Sequence, residues 1–255
     1  MDASPSGKRP GIPLPVIFAS LFVFIFCNLF SYFVFEHNPH VHDEVDYLFQ
    51  AKLFRSARLY APSSCARESF DFPHMINNGR WYSQYTPGFP FLLAIGLVFG
   101  APWMINPLLA SLAVVVFYLL GRELYGHRVG LLASLLGAFS MWFLVMSSTM
   151  MSHPASLLFS ALFLLFLLRS ARNPSVTNGA LAGVSWGMCL LVRPYNAVMF
   201  SLPFFLYFAF LTLKNLRPRR RNAGALALAG MISIGLLLAY NQLTNGHPLR
   251  MGYLV

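Results

Sequence analysis

Charge is scarce in this chain. Only 10% of its 255 residues are Asp, Glu, Lys or Arg, against about 25% in soluble globular domains. Acidic residues are the scarcest, with eight in all. That combination excludes a soluble domain, whose surface must be polar. Cysteine is also rare. Cys27 and Cys189 fall in apolar runs and Cys65 stands alone in a polar segment. No Cys-x-x-Cys or zinc spacing occurs, so neither a disulfide framework nor a structural zinc site is implied, and all three thiols are read as packing residues. There is no P-loop, no dinucleotide fingerprint and no Asn-x-Ser/Thr acceptor.

Apolar residues are abundant instead, at 57%, with 25 phenylalanines. Lipid can solvate that much apolar surface, and a core of this size cannot. The first run, about 12–35, follows Lys8 and Arg9. Its length of about 36 Å suits an uncleaved signal anchor. Further crossings are expected at about 104–121, 127–146, 153–168, 178–192, 195–213 and 223–241. The chain therefore reads as a single all-α unit over 1–255, a polytopic bundle of about seven spans. The run 89–99 is too short to cross and reads as a re-entrant or interfacial helix. Pro203 predicts a kink, and Gly224, Gly230 and Gly235 predict close helix packing.

The net charge of +10 is not spread evenly. With 89–99 not crossing, alternate loops hold Lys8, Arg9, Arg122, Arg128, Arg169, Arg172, Lys214, Arg217, Arg219, Arg220 and Arg221, opposed only by Asp2 and Glu123. This is the positive-inside pattern. It makes the 214–221 cluster a topogenic, anionic-lipid-contacting segment rather than a nucleic-acid site. It also places the loop 36–102, the turns at His153 and Arg193, and the segment after Asn241 outside the cytoplasm.

The unusual polar residues gather on that side. From Asp43 to Ser56 the spacing predicts a helix. Val45, Leu48, Phe49 and Leu53 form an apolar stripe, and Asp43, Asp46, Tyr47 and Gln50 share another face. The expected setting is a helix lying on the membrane with its carboxylates turned away from lipid, or else a solvated loop helix. His37, His40 and His42 precede it. Imidazole and carboxylate suit zinc or manganese, but the spacing matches no closed site, so a divalent metal stays open. Trp81, Tyr82 and Tyr85 crowd the re-entry point, either as an interfacial aromatic belt or as a sugar or lipid-head platform. His153 and Arg193, each followed by proline, sit at span ends. There a guanidinium can bind phosphate bidentately or simply snorkel.

These motifs, in this order and on this side, resemble the GT-C superfamily of polyprenyl-phosphate-sugar-dependent glycosyltransferases. The similarity is to the protein O-mannosyltransferase and aminoarabinose-transferase-like branch. The residues that carry it are His42-Asp43-Glu44-Val-Asp46-Tyr47, Tyr82-Ser-Gln-Tyr85-Thr-Pro87-Gly88, Ser152-His153-Pro154, Val192-Arg193-Pro194, and Tyr240-Asn241 through Thr244 to Pro248. Where the aminoarabinose branch has Glu-Lys before the re-entry proline, this chain has Gln84-Tyr85. Where it has Asp before the later proline, this chain has His153. The resemblance implies an inverting transfer of a sugar from a polyprenyl-phosphate donor to a lipid, glycan or protein acceptor. Asp43 matches the base and Glu44 its acidic neighbour. Arg193 and His153, with Tyr82, Tyr85 and Asp46, are the expected substrate-binding set. No organic cofactor is implied. The implied location is a bacterial inner membrane with an extracytoplasmic active face, and a C-terminal part of the family architecture is expected to be missing. The rival readings are a non-enzymatic transporter subunit or scaffold, and an acyltransferase using His153 as base.

Overall fold

The computed structural model describes residues 11–64 and 66–255, without the side chains of 67 and 216–218. Asp2, Lys8, Arg9 and Cys65 lie outside the described residues. The chain runs α1 (Leu14–Phe33), α2 (His42–Arg55), β1 (Ala61–Pro62), β2 (Met75–Asn77), β3 (Arg80–Ser83), α3 (Gly88–Val98), α4 (Ile105–Tyr125), α5 (His127–Ala138), α6 (Met141–Ser148), α7 (His153–Arg172), α8 (Val176–Val192), α9 (Pro194–Lys214) and α10 (Leu216–Asn245). It is a helical, multi-pass membrane protein.

Among the described residues, five helices are long and apolar enough to cross a bilayer: α1, α4, α7, α9 and α10. α5 and α6 form a further candidate, bent by 56° between them. α8 has 17 residues, so it rises about 26 Å. It packs between α7 and α10. α9 runs unbroken through Pro203. At one end of the bundle Glu123 receives Arg169 and Arg172, each at 3.5 Å. The α4–α5 turn and the end of α7 therefore share that side, as the charge bias requires.

The close-packing glycines lie elsewhere than expected. A Cβ at Gly224 or Gly235 would meet nothing within 4 Å, and one at Gly230 would meet only the Trp186 ring, at 3.3 Å. The small stripe is Gly179, Gly183 and Gly187 on α8. A Cβ there would run into Asn222, Leu226 and Ser233 of α10. Small residues let two helix backbones approach where lipid supplies no hydrophobic drive. Gly183-Val-Ser185-Trp-Gly187 also has the spacing of a nucleophile elbow. Here it lies within a helix, and the Ser185 hydroxyl donates to the Leu181 carbonyl, so it is packing.

The loop 36–102 forms a layer over one end of the bundle. It contains a three-stranded antiparallel sheet, ordered β1-β3-β2, which hydropathy alone did not suggest. α2 packs on α3, and both join the core. This corrects the surface-helix expectation. Glu44, Asp46, Tyr47 and Gln50 are buried, whereas Val45 is 48% exposed. The polar face points into the protein because it has partners there: Gln50 bonds the Leu59 carbonyl and the Ser83 amide, and Tyr47 bonds Ser152. Cys27 and Cys189 are buried and free.

Candidate active site

Four backbone features bring the site together. Pro87 precedes α3, whose first residue, Gly88, lies against the backbone of Leu191 and Val192. A Cβ on Gly88 would stand 2.5 Å from the Leu191 carbonyl carbon. The Thr86 hydroxyl donates to the Val192 carbonyl at 3.1 Å. The re-entrant segment is thereby sewn to the end of α8, one residue before Arg193. Arg193 both ends α8 and starts α9, in a non-helical conformation (φ −147, ψ 87), and the proline that follows disfavours the helical one. Pro154 lies in the first turn of α7, after the N-cap Ser152, where its missing N–H costs no helical hydrogen bond.

Ser152 is the hub. Arg193 Nε donates to its Oγ at 2.9 Å, and Tyr47 Oη lies 3.0 Å from the same oxygen. The hydroxyl is fully buried. Arg193 is thus anchored through Nε, with the Tyr47 hydroxyl also against its guanidinium. Arg193 and His153 both line an apolar groove of about 880 Å³ between α4, α6, α7 and α9. Phe143, Met146, Leu157 and Leu164 form its walls. Along α7 it extends from His153 to Leu164, about 17 Å of rise. His153 Nδ1 is buried without a partner.

Asp43 stands on the other side of this cluster, at the first turn of α2, with its side chain 30% exposed. Tyr85 hydrogen-bonds to it. His74 Nε2 lies 4.0 Å from Asp43 Oδ1. Gln84 Nε2 approaches His74 Nδ1 at 2.8 Å. With the amide donating, the ring proton sits on Nε2, facing Asp43. His74 has φ 66, a left-handed conformation rare for a non-glycine residue. Tyr47, Tyr85 and Tyr253 close the space between Asp43 and Arg193. Tyr85 lies 4.5 Å from Tyr47 and 5.7 Å from Tyr253, ring to ring. Burial pushes the Tyr85 hydroxyl well above its ordinary value, with Asp43 adding to the rise. The Tyr253 hydroxyl is pushed up to about 12, again by burial first.

The expected residues therefore divide. Asp43, Tyr85, Arg193 and His153 converge. Tyr82 does not: it is buried and donates to Asn245 Oδ1 at 2.9 Å, at the end of α10. With Tyr82 and Tyr85 both buried, these rings are not a lipid–water belt. Glu44 points from the next position on α2 into the start of the 149–152 turn. It accepts the His40 amide at 2.8 Å and bonds toward Thr149 and Met150. Burial raises its carboxyl, and the His40 contact opposes that rise. The three histidines do not gather. His37 stacks on Trp103 at 4.2 Å and His40 bonds the Phe35 carbonyl. Among the described residues no group of three His, Cys, Asp or Glu is arranged to hold a metal. His74, Ser152 and Tyr253 are additions that only contact across the chain could reveal, although Ser152 already stood inside a quoted motif.

The family model for dolichyl-phosphate-mannose-protein mannosyltransferases matches residues 87–240. The chain belongs to this family. The match takes in the groove, Ser152, His153 and Arg193, and begins after α2 and Asp43. Among solved structures, the Archaeoglobus fulgidus oligosaccharyltransferase in its apo form is similar over 92% of this chain, at 16% identity and a TM-score of 0.47. The chain spans 35% of that protein's length. No curated protein sequence matches the chain.

In this mannosyltransferase-family protein Asp46 is the most perturbed carboxylate. It is 2% exposed, and its Oδ2 has no partner. Burial, with Asp43 nearby, pushes it from 3.8 up to about 7. Between those two pH values the folded chain holds a proton that the unfolded chain has released. Stability from this group therefore falls as pH rises through that window. Asp46→Asn is expected to melt like the parent near pH 4. At pH 8 it is expected to be more stable by roughly 1–3 kcal/mol. Thermal melts in detergent across that range check this. A parent whose melting is no lower at pH 8 than at pH 5, relative to the variant, refutes it.

Proposed function

We propose that this glycosyltransferase moves a sugar from a polyprenyl-phosphate carrier to a hydroxyl group of a lipid, glycan or protein acceptor, with inversion at the anomeric carbon. The observation that carries this is the placement of Asp43 and Arg193 on either side of the Tyr47–Ser152 contact, with Arg193 at the mouth of a lipid-sized apolar groove. The groove takes the prenyl chain. The guanidinium of Arg193 takes the phosphate in a bidentate contact, with His153 lining the groove beside it.

The acceptor approaches Asp43 from its exposed side. Its oxygen attacks the anomeric carbon on the face opposite the phosphate, and its proton passes to the Asp43 carboxylate. The bond from the anomeric carbon to the phosphate oxygen breaks. Its electron pair stays on the phosphate, where Arg193 neutralises the charge. One displacement inverts the centre. The hydroxyl of Tyr85 and the ring of His74 orient Asp43 and hold its charge. Asp43 and His74 alone are too few to hold a metal, so no step is assigned to one.

The active face is extracytoplasmic, in a bacterial inner membrane, since the opposite loops concentrate the basic residues with only Asp2 and Glu123 against them. Nucleotide sugars are cytoplasmic, so a lipid-linked donor suits that side. Purified protein in bilayers, given a panel of radiolabelled polyprenyl-phosphate sugars or the matching nucleotide sugars, is expected to transfer label from the former only. Transfer from a nucleotide sugar alone refutes the reading.

A further inference from the structure

A second groove lies at the far end of α2. Its apolar part, about 540 Å³, is lined by Phe54, Phe91, Met188, Leu191, Leu236 and Tyr240. A neighbouring cavity of about 580 Å³ is polar at its rim, with Arg80 and Gln242. Both are bordered by Arg58 and Leu59. Phe91 and Leu236 are 55% and 56% exposed, so the protein leaves this apolar surface to the membrane.

The charge at its mouth has one sign. Lys52 and Arg55 occupy the last turn of α2, and Arg58 follows. Arg80 is fixed in place. Its Nη1 donates to the Leu243 carbonyl at 2.7 Å, and its guanidinium lies 4.7 Å from the centre of the Tyr60 ring. Neither Arg58 nor Arg80 has a carboxylate partner among the described residues. An apolar slot under an unpaired cationic rim, at the outer membrane interface, matches a lipid with an anionic headgroup.

We propose that this groove binds an anionic membrane phospholipid, with its phosphate between Arg58 and Arg80 and an acyl chain between α3, α8 and α10. The site is separate from the donor groove. Phe54 lies 11 residues along α2 from Asp43, about 17 Å of helix rise, so one headgroup cannot serve both. The bound lipid bridges α2, β3 and the end of α10. It braces from behind the helix that carries Asp43. This goes beyond the proposed transfer reaction and does not depend on it.

The test uses the full chain in nanodiscs that contain a photoactivatable phosphatidylglycerol or phosphatidylcholine with the diazirine on the acyl chain. Cross-linked peptides are mapped by mass spectrometry. Phosphatidylglycerol is expected to label the α3, α8 and α10 groove peptides at least about fivefold more than phosphatidylcholine, the size of one basic contact at an anionic surface. Arg58→Ala is expected to remove most of that preference. The Arg58 side chain makes no hydrogen bond or ion pair among the described residues, so its loss should not unfold the protein. Leu236→Trp, which narrows the slot, is expected to lower labelling by both lipids. Labelling of α9, on another face, serves as the control and stays unchanged. Equal labelling by the two lipids, or a preference that survives Arg58→Ala, overturns the proposal. Displacement of the probe by equimolar undecaprenyl phosphate also overturns it, by assigning the groove to a prenyl lipid.

Discussion

Asp43→Asn is expected to lower sugar transfer by about 10²–10⁴-fold while the protein inserts and melts as before, the range typical of losing a general base. The fold should tolerate the change. The side chain is 30% exposed and its partner Tyr85 is a donor, so an amide oxygen of the same shape can still accept that bond. Removing the charge has a second, separable consequence. Asp43 is one cause of the raised Asp46 carboxyl, so in Asp43→Asn the Asp46 titration moves down toward its ordinary range. Glu44→Gln provides the contrast. Glu44 is 2% exposed and engages the His40 amide and the 149–150 segment. Its replacement is expected to cost stability more than turnover. Turnover that persists in Asp43→Asn and vanishes in Glu44→Gln would reverse the assignment of the base. Treatment with a chelator adds a further discrimination: a simple base keeps its activity, and loss of activity in the parent would mean that transfer needs a metal.

Arg193→Ala is expected to weaken binding of the lipid-phosphate donor by about 10–150-fold, the equivalent of one charge-assisted contact worth about 1.5–3 kcal/mol. Turnover should fall as well, because charge grows on the leaving phosphate as the glycosidic bond breaks. Loss of one such electrostatic stabiliser costs about 10²–10³-fold. Arg193→Lys keeps the charge but loses the planar fork and the Nε bond to Ser152. It is expected to fall between parent and alanine, and to do so mainly in turnover, since its charge still meets the phosphate. Ser152→Ala leaves the guanidinium in place without its anchor. It should reproduce the lysine phenotype rather than the alanine one. Lipid-phosphate affinity that is unchanged in Arg193→Ala would remove Arg193 from the site.

Both variants draw on residues that differ in how they can be recognised. Arg193 and Asp43 stand out along the chain. One is a cation beside a proline at the end of an apolar run, and the other opens an acidic helix just after the first span. His74 has no such mark. It lies 31 positions from Asp43 in a polar loop, and only the β2–β3 hairpin brings it within 4.0 Å. Ser152 was visible as part of a short motif, but its two partners come from α2 and from the α8–α9 joint.

The sequence by itself determined that this is a multi-pass membrane protein with a long polar loop after its first span. Hydropathy, charge bias and proline placement act locally and are readable residue by residue. The helices stand close to where those signals put them, and 89–99 is indeed a short helix, Gly88–Val98. What the tertiary structure alone decided is which face of each helix meets a neighbour. In a bilayer the lipid and the protein interior are both apolar, so apolar residues mark no inner face. That is why the packing glycines are on α8 rather than α10. It is also why the polar face of α2 could be expected to face water and yet is buried. A polar face goes inside when the interior supplies partners for it, and those partners, Ser152, Ser83 and Leu59, become neighbours of α2 only when the chain folds.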